Sequence, residues 1–192
     1  MNDKTNIANT RLNSYCNFMA IATLIPILCT LIGCVSPFLF YFCNTPNIGL
    51  ESEGYSFFIS RSLSVEVNPE QLTFWQAGVA TVADTLQIGI LVYAFYQLRL
   101  LFLSYSHSQY FTVASATLCY NFGRALVIWV ILGFIFEPIL SPILSYNTEN
   151  PMVTVSFTSD DLMTLFPALS IMIIGQILKK ACQIAEENQQ LV

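Results

Sequence analysis

The chain has 192 residues, of which 55% are hydrophobic and only 10% charged, with a formal net charge of -5 and a mean hydropathy of +0.61. That balance excludes a water-soluble domain with an ordinary charged surface, so the natural solvent is lipid. Seven lysines and arginines scattered without a cluster leave no basic footprint, and direct nucleic-acid binding is not expected.

Residues 1–13 are polar, with Asp3, Lys4 and Arg11, and from Leu12 to Leu50 there follow 39 residues without a charge. About 20 apolar residues cross a bilayer core, so a first membrane helix is expected over about 14–42. Pro26 and Pro37 sit inside it and predict kinks, tolerated where neighbours meet the freed carbonyls. Leu31-Ile32-Gly33-Cys34 matches a lipoprotein cleavage box. The match reads as a decoy, because Val35 to Phe42 stays apolar and aromatic where a mature lipoprotein turns polar.

The loop from Cys43 to Glu70 holds Glu51, Glu53, Glu66 and Glu70 against a single Arg61. Within it residues 62–67 alternate polar with apolar, the period-2 pattern of a half-buried strand. Asn68-Pro69-Glu70-Gln71 reads as a helix start, so a second membrane helix is expected over about 69–105. At 100° per residue Thr73, Gln76, Ala80, Asp84 and Gln87 share one arc, which should face other helices or a wet cavity. Trp75 near one end and Tyr93 and Tyr96 near the other are expected interfacial anchors.

The stretch from Tyr96 to Thr112 carries Arg99, Tyr105 and the single histidine, His107, and no acid. Thr112 is the expected cap of a third membrane helix over about 113–140, with Glu137-Pro138 and Pro142 marking its outer end. Its polar residues Thr117, Asn121 and Arg124 share an arc of their own, so the two helices of this hairpin have polar faces that could meet. The following loop holds Glu149, Asp160 and Asp161 and no base, and its residues 153–158 again alternate. The two short strands are expected to pair as a small extracytoplasmic sheet supported by the helix ends. Thr158-Ser159-Asp160-Asp161 forms a capping box for a fourth membrane helix over about 160–184. It contains 17 uncharged residues from Leu162 to Leu178, extended by the stems of Lys179 and Lys180. No repeat or linker interrupts the chain, which reads as one all-α integral membrane domain, residues 1–192.

Of six cysteines, Cys16, Cys29, Cys34, Cys119 and Cys182 lie in or beside apolar helices or in the tail, and only Cys43 lies near an outer edge. No disulfide pair is expected. There is no C-x-x-C, no metal-ligand spacing, no nucleophile elbow and no phosphate loop, so neither cofactor, metal nor enzyme activity is expected.

Counting bases, Lys4, Arg11, Arg99, Lys179 and Lys180 oppose Arg61. Five against one places both termini and the central stretch in the cytoplasm and the two acidic loops outside. Asp84 and Arg124 remain inside the membrane, and with Gln76, Gln87 and Asn121 they form the candidate polar network. Folding the hairpin about residue 107 sets Arg124 about two turns nearer the cytoplasm than Asp84, so a direct pair needs a full reach by the arginine. The alternatives are a satisfied structural network, an inward-snorkelling arginine with a protonated Asp84, and a proton or ion relay.

Tyr96-Gln97-Leu98-Arg99-Leu100-Leu101-Phe102 followed by Tyr110-Phe111-Thr112, then Ser156-Phe157-Thr158-Ser159-Asp160-Asp161-Leu162 and the tail Ala185 to Val192, resemble the signatures of the bacterial family called domain of unknown function 2975. The resemblance covers nearly the whole chain and implies a four-helix inner-membrane protein without an established activity. Where that family commonly has a glycine before the aromatic-Phe-Thr turn, this chain has Ser108. Members are often encoded beside a small helix-turn-helix regulator of the Cro type. The resemblance therefore implies a membrane sensor or anchor for such a regulator, with Arg99, Tyr105 and His107 as the candidate contact loop. The alternative reading is a small transporter or ion-coupled channel subunit that uses Asp84.

Overall fold

The computed structural model describes residues 2–33, 73–146 and 159–190. Five helices fill them: α1, Asn2–Ala22; α2, Leu24–Gly33; α3, Phe74–Ser106; α4, Val113–Leu144; and α5, Ser159–Gln190. Together they supply four stretches long and apolar enough to cross a membrane, Leu12–Leu31, Phe74–Ser106, Val113–Ile143 and Asp161–Asn188. This is a four-helix membrane protein. The expected strands at 62–67 and 153–158, Pro37, Cys34, Cys43 and the Asn68 cap all lie outside the described residues.

The first span begins near the expected residue 14, at Leu12, on a helix that already starts at Asn2. It is divided at Thr23, which separates α1 from α2. The cause is Pro26, which lacks the N–H that would bond the carbonyl of Ala22 and whose ring crowds that carbonyl. Thr23 covers the break: its backbone N–H reaches Met19 O at 3.0 Å and its buried hydroxyl donates to Ala20 O at 2.9 Å.

α3 starts at Phe74 rather than 69, with Thr73 as an extended N-cap residue. α4 begins at the expected cap: the Thr112 hydroxyl accepts from Ser115 N at 3.1 Å and Ser115 Oγ accepts from Thr112 N at 3.3 Å. At its other end the helix continues through Pro138 and Pro142 to Leu144, beyond the boundary near 140 that those prolines suggested. A membrane helix tolerates such prolines where neighbouring groups meet the freed carbonyls. α5 continues past its membrane segment to Gln190, so the polar tail is a helical extension.

The interior is built mainly from small and polar residues, with Leu101, Val130 and Leu140 among them, while most large apolar residues face outward. Ala80, Ala94, Ala116, Ala125 and Ala168 are buried, whereas Val82, Leu86, Ile131, Ile135, Met163, Phe166, Ile173 and Ile177 are exposed. In lipid there is no gain in hiding leucine, and helices associate by close backbone approach. The pattern is sharpest between α4 and α5, where buried residues recur at sevens: Ala116, Gly123 and Val130 on one helix, Ala168, Gly175 and Cys182 on the other. Sevenfold spacing is that of helices crossing at about 20°. α1 and α2 pack on α3, α3 on α4, and α4 on α5.

Candidate functional site

Two places carry the chemistry that the sequence singled out: the interior of the α3–α4 hairpin and the elbow that joins its helices.

On α3 the expected arc faces inward from Gln76 onward, while Thr73 at its start is exposed. Gln76, Ala80 and Asp84 are buried, as are Ala94, Gln97 and Leu101 further along. Gln76 is a clasp. Its Oε1 accepts from Thr73 N at 2.8 Å and its Nε2 donates to Ile143 O at 2.7 Å. One side chain, 3% exposed, thus serves an orphan N–H at the start of α3 and an orphan carbonyl in the last turn of α4. Gln87, half-buried, lays its amide into the notch at Gly133, where an added Cβ would stand 2.8 Å from Nε2.

Those two contacts set the hairpin register, with Gln76 opposite Ile143 and Gln87 opposite Gly133. Counting along both helices, Asp84 is level with residues 135–136, and Arg124 is level with 95–96. The elbow occupies 107–112 instead of turning at 107, so the separation in height is about three turns, roughly 17 Å. Arg124 also faces the wrong way for a pair: it is exposed on the outer side of α4, in one stripe with half-buried Thr117 and Asn121. The structure therefore brings Gln76, Asp84 and Gln87 to the hairpin interior and leaves Asn121 and Arg124 on its far flank. What the sequence reading missed is Glu137, which the same register sets within a turn of Asp84 in height. The α4–α5 contacts of Gly123 with Met172 and Gly175 with Tyr120 add Asp161 to that level. The usable signal was the length of the elbow.

At the elbow, α3 ends on His107, whose N–H bonds Leu103 O at 3.3 Å and Ser104 O at 3.2 Å. Ser108 then takes φ 62°, the left-handed region that costs a residue with a Cβ roughly 1–2 kcal/mol. Its Oγ accepts from Asn13 Nδ2 at 3.3 Å, and the Tyr110 hydroxyl donates to Asn13 Oδ1 at 2.5 Å. The turn is thereby tied to α1. The Tyr110 ring lies 5.8 Å from that of Tyr105, and Ser115 Oγ donates to Tyr110 O at 3.2 Å.

Of the three expected contact residues only His107 lies on the surface. Tyr105 is half-buried. Arg99 is half-buried, with its Nε enclosed and without a hydrogen-bond partner. Ser108 and Gln109 are exposed as well, and Phe111 is 83% exposed. Cys16, Cys29, Cys119 and Cys182 are free thiols. Among the described residues no group of three or more His, Cys, Asp or Glu is placed to hold a metal ion.

A family model described as "Protein of unknown function (DUF2975)" matches residues 62–192. No curated protein and no solved structure matches the chain.

Proposed function

The chain belongs to the DUF2975 family, proteins of unknown function, and from that premise we propose that it is a membrane sensor or anchor for a small helix-turn-helix regulator. The role is non-catalytic. In this reading the protein sits in a bacterial inner membrane with both termini and the elbow in the cytoplasm, as the excess of bases at that end favours. The observation that carries the reading is an exposed aromatic on a braced turn. Phe111 is 83% exposed, yet the chain around it is held by Asn13, Ser115 and the Thr112 cap. A large apolar side chain presented from a rigid polar turn suits a protein contact, because little ordering entropy opposes binding. The exposed last turns of α5, with Gln183, Glu186, Glu187 and Asn188, widen the same end into a platform.

Co-purification tests the reading. The full-length protein is expected to retain the co-expressed regulator, and Phe111→Ala is expected to lower recovery at least tenfold while the membrane protein itself accumulates normally. Equal recovery with the variant would remove the elbow as the contact surface.

A further inference from the structure

Arg124 poses a problem of charge in an apolar setting. It is exposed on the outward side of α4, and the stripe continues from it through Ile128, Ile131 and Ile135, also exposed. On a membrane-spanning helix an exposed apolar face of this kind is the one given to acyl chains. A guanidinium keeps its charge at any accessible pH, and leaving it in hydrocarbon is strongly unfavourable. Among the described residues it makes no hydrogen bond or ion pair. The described carboxylates on α3, α4 and α5 nearest its height, Asp84, Glu137 and Asp161, lie ten to thirteen residues away along the hairpin register, about 15–20 Å.

Its surroundings mark a boundary. The Cα–Cβ bonds of a helix lean toward its N-terminus, and the N-terminus of α4 is the elbow, so Arg124 extends toward the elbow end of the membrane. Asn121 lies one turn in that direction on the same outer stripe and is half-buried. Level with Arg124 on α3 are Tyr93 and Tyr96, each 48% exposed, which form the aromatic belt expected where acyl chains give way to headgroups. Arg99, the second base near this height, has its Nε enclosed without a partner.

We propose that Arg124, with Asn121 one turn above it, binds the phosphate of an anionic phospholipid headgroup. The guanidinium fork matches two phosphate oxygens, and the asparagine amide is a further donor. An anionic lipid is favoured over a zwitterionic one because no ammonium group of its own competes for the phosphate. The site is independent of any regulator at the elbow, and it fixes which surface of α4 is given to lipid.

The test is native mass spectrometry of the full-length protein in detergent with defined amounts of phosphatidylglycerol or phosphatidylcholine. Wild type is expected to retain phosphatidylglycerol at least fivefold better than phosphatidylcholine. Arg124→Gln should abolish that preference, Arg124→Lys should keep part of it, and Ile128→Gln in the same stripe should leave it intact. Because Arg124 is exposed, the glutamine variant is expected to fold, and its elution profile checks this. Unchanged retention in Arg124→Gln would overturn the proposal, as would equal loss in Ile128→Gln. Displacement of the lipid by millimolar inorganic phosphate would make the site one for free phosphate. A dimer of the chain lost specifically in Arg124→Gln would make the occupant a second copy.

Discussion

Replacing Gly123 or Gly175 by valine is expected to pull α4 and α5 apart, and alanine alone should already be felt. A Cβ at Gly123 would stand 2.5 Å from Met172 N and 2.7 Å from its Cα, and one at Gly175 would stand at the same distances from Tyr120 N and Cα. Those obstacles are backbone, which no rotamer change can move aside. Overpacking in a close-packed interior costs roughly 1–3 kcal/mol where side chains can yield; here helix axes must separate, so about 3 kcal/mol or more is expected for valine. Thermal unfolding of the purified protein in detergent measures it. Gly78→Ala and Gly89→Ala are the internal controls, because nothing lies within 4 Å of a Cβ built there. These two should be neutral or stabilise by up to about 1 kcal/mol through helix propensity. A Gly123→Ala protein that melts with wild type would mean that the two helices do not approach this closely.

The second large effect belongs to Gln76. Gln76→Leu keeps the bulk of the side chain but strands the Thr73 N–H and the Ile143 carbonyl that the amide now serves. A buried polar group left unsatisfied costs about 1–3 kcal/mol, so a loss of roughly 2–4 kcal/mol is expected from the pair, less where water reaches one of them. Gln76→Glu separates the two halves of the clasp. It keeps an acceptor for Thr73 N and faces the Ile143 carbonyl with no donor, so it should be no better than leucine. Thermal unfolding reports the total, and hydrogen exchange at the first amides of α3 and the last turn of α4 reports where it falls. Wild-type melting with unchanged exchange at both ends would show that the clasp is not closed in the membrane protein.

These two results bear on how much of the molecule was legible in its residues. Span number followed from apolar run lengths, and the Thr112 cap followed from local chemistry, because both depend on residues adjacent in sequence. Gln76 was legible as an inward-facing polar residue and not as an end clasp, since its second partner, Ile143, lies 67 residues away. The prolines divide: the kink expected at Pro26 is present, whereas Pro138 and Pro142 do not end α4 near 140. Whether a freed carbonyl finds another partner depends on neighbouring helices. Thr117, Asn121 and Arg124 share an arc by arithmetic, yet arithmetic on one helix does not say which side is lipid. The small-residue sevens of α4 and α5 carried that information, because close approach selects glycine and alanine on the packed face.

The central claim is that the elbow faces the cytoplasm, where a regulator can reach it. It is tested most directly by thiol labelling of Gln109→Cys, in a chain whose six native cysteines are replaced by alanine. Gln109 is exposed, and a membrane-impermeant maleimide reads the side of the membrane on which it lies. The expected result is no labelling in intact bacterial spheroplasts and full labelling in inside-out vesicles. Labelling in intact spheroplasts would put the elbow, Phe111 and the end of α5 outside the cell and contradict the proposed role.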